Sequence, residues 1–129
     1  MKNGYFKQAY GILAYANKEL EDARADGKNG LKLRQVSEKG YLSLITAING
    51  LFVANGAPKD NLPKGDRGKV SLLEKYVNNS IIRQYHGLRE RLHIEGFHDG
   101  TLDEEEVEKE LASLGEFLDI LERLASKKK

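Results

Sequence analysis

Three histidines fall within thirteen residues, in the stretch Arg83-Gln84-Tyr85-His86-Gly87-Leu88-Arg89-Glu90-Arg91-Leu92-His93-Ile94-Glu95-Gly96-Phe97-His98. Arginine keeps its charge at every physiological pH, and histidine as a residue type exchanges protons near neutrality. Held together, the two can grip a phosphate and move a proton beside it. Sorted onto a helix at about 100° per residue, Ile81, Tyr85, Leu88 and Leu92 form an inward stripe. His86, Arg89 and His93 then run along one flank, and Arg91 with His98 along the other. Two Arg/His pairs are therefore candidates: Arg91 with His98, and alternatively Arg89 with His93. The blander use of such flank positions is a boundary role, with stems packed and polar ends in water.

Other chemistries fit less well. His86, Glu90 and His93 have the spacing to face one ion. The two Glu-x-x-His pairs at Glu90–His93 and Glu95–His98 sit on one helix, however, where a bridged two-metal bundle needs them on two. Arg89 and Arg91 beside them oppose a cation, so no metal is expected. None of the serines lies in a Gly-x-Ser-x-Gly turn. Gly65-Asp66-Arg67-Gly68-Lys69-Val70-Ser71 lacks the order of a phosphate loop. Lys64, Arg67 and Lys69 still make this region locally basic, a candidate contact for a nucleic-acid or phosphate backbone, against the simpler reading of a solvated loop. There is no cysteine, which excludes disulfides, thiolate metal sites and cysteine nucleophiles and suits a reducing, cytoplasmic setting.

The elements that must position these residues are helical. With 129 residues, 40% hydrophobic and 32% charged, the chain suits one domain, residues 1–129, with a single core. Its 21 basic and 20 acidic residues nearly cancel, so no global field points to a nucleic acid or a membrane. The N-terminal residues lead into an amphipathic pattern, unlike a signal peptide, and no apolar run is long enough to span a bilayer. A first helix is expected from about Tyr5 to Asp26 on the stripe Tyr5, Ala9, Ile12, Ala16, Leu20 and Ala23. It ends in Asp26-Gly27-Lys28-Asn29-Gly30. A second helix should run from Leu31 to Asn55 on Val36, Gly40, Tyr41, Leu44, Ile48, Leu51 and Phe52, with Gly40 and Ala47 allowing a close neighbour.

Residues 57–68 hold both prolines and read as a long loop. A short helix follows over Lys69–Val77, then a fourth from Ile81 capped by Ser80. The last helix opens on Thr101-Leu102-Asp103-Glu104, which has capping-box spacing. It buries Val107, Leu111, Leu114, Leu118, Leu121 and Ala125 and ends in a frayed basic tail, 126–129. The expected fold is all-α, an up-and-down antiparallel bundle of four to five helices.

Three stretches carry a family resemblance. Glu38-Lys39-Gly40-Tyr41 inside the second helix, Ala47-Ile48-Asn49-Gly50-Leu51-Phe52, and Leu92-His93-Ile94-Glu95-Gly96-Phe97-His98-Asp99-Gly100 resemble the HEPN superfamily, especially its archaeal PaREP-type branch. The resemblance implies a helical bundle that pairs as a homodimer and is associated with RNA or nucleotides. Some relatives act beside a co-encoded partner protein. Catalytic members are metal-independent ribonucleases, without a cofactor, that use an Arg and a His separated by four to six residues. Arg91 and His98 bracket six, Arg89 and His93 three. A polar residue usually follows the Arg, and here it is Glu90 after Arg89 and Leu92 after Arg91.

Overall fold

The computed structural model describes residues 4–27 and 29–127. Met1–Asn3, Lys28 of the first turn and Lys128 and Lys129 of the basic tail lie outside the described residues. The chain forms α1 (Gly4–Arg24), α2 (Gly30–Ala54), a single 3₁₀ turn (Lys59–Asn61), α3 (Asp66–Tyr76), α4 (Asn79–Arg89), a π-helix (Glu90–Asp99) that continues α4, and α5 (Glu104–Ser126). Among the described residues there is no strand, and the architecture is the expected all-α bundle. Among the described residues no helix is long and apolar enough to cross a membrane.

Side-chain pairs give the directions. Glu19 meets Lys39 and the Ser43 hydroxyl donates to the Ala9 carbonyl, so α1 and α2 run antiparallel. Tyr10 bonds Asp119 and Arg24 bonds Glu108, so α5 is antiparallel to α1. Glu38 meets His93 and Arg34 meets the Asp99 carbonyl, so the α4–π-helix rod is antiparallel to α2. Four long rods thus alternate in direction, and α3 is a shorter piece between the second and third.

Helix α2 packs against α1, α5 and the π-helix, and buries twelve residues. Where a β-carbon would sit on Gly40, Leu111 Cδ2 is 2.9 Å away and Leu92 Cδ1 3.3 Å, so the small residue lets two helices close on α2 at one level. The expected stripe of α5 is wholly buried, together with Phe117. On α1 the buried face is Phe6, Ala9, Leu13, Ala16, Leu20 and Ala23; Phe6 and Leu13 take the places expected of Tyr5 and Ile12, which are half-buried. The Phe6 ring and Tyr5 Cβ together pack against Gly50.

Three boundaries differ from expectation. Helix α3 begins at Asp66, before Lys69, and the 57–68 connection carries the 3₁₀ turn. The cap of α4 is Asn78, whose side-chain oxygen accepts from the Ile81 amide at 3.1 Å; Ser80 already lies in the first turn. The capping box of α5 is Asp103 with Glu106, two residues after the expected Thr101–Glu104. The Thr101 hydroxyl instead donates to the Glu95 carbonyl at 3.2 Å, closing the π-helix, while Leu102 turns into the core.

Candidate functional site

Ten residues of π-helix are unusual, because this geometry is mostly confined to single turns and is frequent at functional sites. Its wider turn changes which residues share a face. Leu92 is driven into the core over Gly40, and Gly96 is buried on Ser37. A β-carbon on Gly96 would lie 2.5 Å from Ser37 Oγ and 2.6 Å from Ser37 Cβ, so only glycine lets the two backbones approach this closely. The rod does continue through Gly96 and ends at Gly100, whose φ of 66° is the left-handed stop glycine adopts readily.

This geometry separates Arg91 from His98. Arg91 Nη1 reaches α5, 3.7 Å from Glu110 Oε2, beside a second cleft lined by Gln84, Gly87, Glu110, Ser113 and Phe117. Burial pushes the Glu110 carboxyl upward, against the pull of Arg91. His98 lies with its ring edge-on to His93, centroids 4.7 Å apart. The 100°-per-residue sorting had put both on one flank; nearly an extra residue per turn places them on different sides.

Arg89 and His93 are brought together, by a residue that neither pair included. Tyr41 on α2 lies close enough to the Arg89 guanidinium for each to shift the other's pKa, and carries the His93 ring stacked on its own, centroids 4.2 Å apart and planes 20° from parallel. Phe97 continues the stack beyond His93, at 6.2 Å and 13°. His93 Nδ1 is 2.8 Å from Glu38 Oε1. In the neutral ring this contact selects the Nδ1–H tautomer and leaves Nε2 as the free acceptor.

Behind Tyr41, Asp66 Oδ1 accepts from the fully buried Tyr85 hydroxyl at 2.8 Å and lies 3.4 Å from Arg89 Nε. Burial weakens the case for charge on Arg89, but Asp66, then Tyr41 and Tyr85, outweigh it and raise its pKa. Burial raises Tyr41 as well, with Arg89 pulling the other way. The start of α3 is thereby tied to the Arg/His wall.

In front of this wall is an open groove of about 620 Å³, lined by Gln35, Glu38, Lys39, Tyr41, Leu42, Ile45, Lys64, Lys69 and Phe97. The three basic residues expected to contact phosphate separate here. Lys64 is exposed on the rim, and Arg67 is exposed but does not line the groove. Lys69 is only 4% exposed, with its ammonium 2.6 Å from the Pro63 carbonyl, so it is an internal group of the groove and not a solvated contact. His86 stays exposed beside the Tyr85 ring. Among the described residues no group of three or more His, Asp or Glu is placed to hold a metal.

The sequence signal missed Glu38, Tyr41 and Phe97 as members of the site. Glu38 and Tyr41 lie some fifty residues before the histidines, and only the packing of α2 against the π-helix joins them. No family model, curated protein or solved structure matches the chain.

Proposed function

We propose that this chain is a HEPN-like helical module that holds RNA or nucleotide phosphate in the groove between α2 and the π-helix. The observation that carries the reading is that Tyr41, which stacks on His93 and lies beside Arg89, lines the groove together with Phe97 and the exposed Lys64. A fixed cation, an oriented imidazole and an exposed lysine suit phosphate oxygens. The near-parallel stack of Tyr41, His93 and Phe97 adds a platform on which a base can lie. A homodimer and a co-encoded partner protein belong to the same reading and rest on the family resemblance; a cytoplasmic setting rests on the absence of cysteine.

The second reading is a metal-independent endoribonuclease, favoured by one observation: Glu38 orients His93 with Nε2 free, as a general base requires. In this reading Arg89 and His93 carry the chemistry, since Arg91 is engaged by Glu110 on another side.

Anisotropy of a fluorescein-labelled single-stranded RNA tests the binding. Tyr41→Ala, which removes the shared support of Arg89 and His93, should weaken it about ten-fold or more, the loss of one stacked base. Arg91→Ala should leave it unchanged. Equal affinity of wild type and Tyr41→Ala, or no binding by wild type, would remove the proposal. Incubating the same RNA in excess chelator separates the second reading: cleavage abolished by His93→Ala establishes it, and intact RNA excludes it for the chain acting alone.

A further inference from the structure

The groove contains one group that phosphate binding leaves unused. Lys69 comes from the first turn of α3, with 4% of its surface exposed, and its amine has a single neutral acceptor, the Pro63 carbonyl at 2.6 Å. Among the described residues no carboxylate lies within ion-pair distance of it. A buried ammonium without an ion partner favours its neutral form, and a neutral lysine amine is a nucleophile toward carbonyl carbon. Around it the groove offers the aromatic faces of Tyr41 and Phe97, the apolar side chains of Leu42 and Ile45, and a cation at Lys64.

We propose that Lys69 is a covalent amine site that captures an aromatic aldehyde bearing an anionic group as an imine. The aldehyde ring lies on the Tyr41–Phe97 side of the groove and its anionic group reaches Lys64. The amine lone pair adds to the carbonyl carbon, the resulting carbinolamine loses water, and a C=N bond remains. The site goes beyond nucleic-acid binding and does not depend on it. The charged and titratable groups around it are Glu38, Lys39 and Tyr41 from α2 and Lys64 from the connection, which line the groove, and Asp66 on its own helix. Burial lowers the Lys69 pKa, and Asp66 opposes this in part. Lys69 therefore reacts ahead of ordinary lysines at neutral pH, and its lead closes as pH rises into the range where those lysines lose their own proton.

The probe is 4-carboxybenzaldehyde with cyanoborohydride, whose hydride reduces the imine to a stable secondary amine. Peptide mapping by mass spectrometry then reads each lysine in the intact protein. The expected result at neutral pH is that Lys69 is modified faster than exposed Lys59 or Lys75. In denaturing urea the advantage should vanish. Benzaldehyde without the carboxylate should lose part of the advantage, and Lys64→Gln should remove the difference between the two aldehydes. Modification of Lys69 no faster than of Lys59 in the folded protein would overturn the proposal. Equal rates for the two aldehydes in the wild type would overturn its anionic specificity. Neither result needs a variant at Lys69 to fold.

Discussion

His93 Nδ1 and Glu38 Oε1 are 2.8 Å apart, across the interface between the π-helix and α2. The carboxylate and the face of Tyr41 hold the imidazole from two directions of α2, while Phe97 and His98 of its own helix pack on the other sides of the ring.

Glu38→Gln tests that hold. The glutamine amide can present either its oxygen or its nitrogen to the ring, so the preference for the Nδ1–H tautomer should weaken while the Tyr41 stack persists. Imidazole ¹⁵N shifts read the tautomer directly. A wild-type ring already mixed between tautomers would show that Glu38 does not control it.

The contact of Gly96 with Ser37 predicts a stability loss that helix propensity alone gets wrong. Alanine is the better helix former, yet its β-carbon would fall 2.5 Å from Ser37 Oγ. Gly96→Ala should cost about 1–3 kcal/mol, the usual range for overpacking. Ser37→Gly in the same chain should recover most of it, giving a coupling energy in a double-mutant cycle by urea denaturation. Additive losses would place the strain elsewhere.

Burial, and next the hydrogen bond to Asp66, push the Tyr85 phenol well above its ordinary range, and burial with Asp119 does the same for Tyr10. The fold therefore favours the protonated phenols. Their contribution is fully present below the unfolded pKa, about 10, and is lost as pH rises beyond it. Stability should fall through the alkaline range. Tyr85→Phe should cost about 0.5–1.5 kcal/mol at neutral pH and flatten part of the alkaline fall. An unchanged alkaline slope in chemical denaturation at stepped pH would contradict this.

Asp103→Ala removes the side chain that accepts from the Glu106 amide at 2.8 Å and leaves the residue-103 backbone amide to donate to Glu106 Oε1, so half of the capping box is lost. The loss should be about 1 kcal/mol, with amide exchange accelerated in the first turn of α5. Thr101→Ala, at the position the spacing first suggested, should leave that turn protected.

Much of the fold was legible because apolar periodicity reports burial directly. Every residue named in the stripes of α4 and α5 is buried, since each lies against a continuous partner, while the buried Ile82 and Phe117 fall outside the strict period. On α1 the choice between Tyr5 and Phe6, or Ile12 and Leu13, is a choice between adjacent apolar residues that no period resolves. The cap of α5 slipped for a similar reason: polar residues three apart occur at both Thr101–Glu104 and Asp103–Glu106, and the demand of Glu95 for a donor decided between them. Of the candidate site, the histidine cluster was legible by composition. Its partition was not, because the 100° step assumed an α-helix and the packing of Gly96 on Ser37 accompanies a wider turn. Lys69 read as a loop cation because the early start of α3, which turns it inward, has no local sequence mark.

The wide turn also changes what the chain can do by insertion and deletion. Removing one residue from α2 or α5 would rotate everything after it by about 100° and unthread the core. Between Glu90 and Asp99 the chain holds more residues than an α-helix needs for the same number of turns, so a deletion there can be absorbed by tightening the turn. This is the stretch that presents His93, Phe97 and His98. The register of these rings against α2 can therefore change by length alone, while Leu92 above and α5 below keep their places.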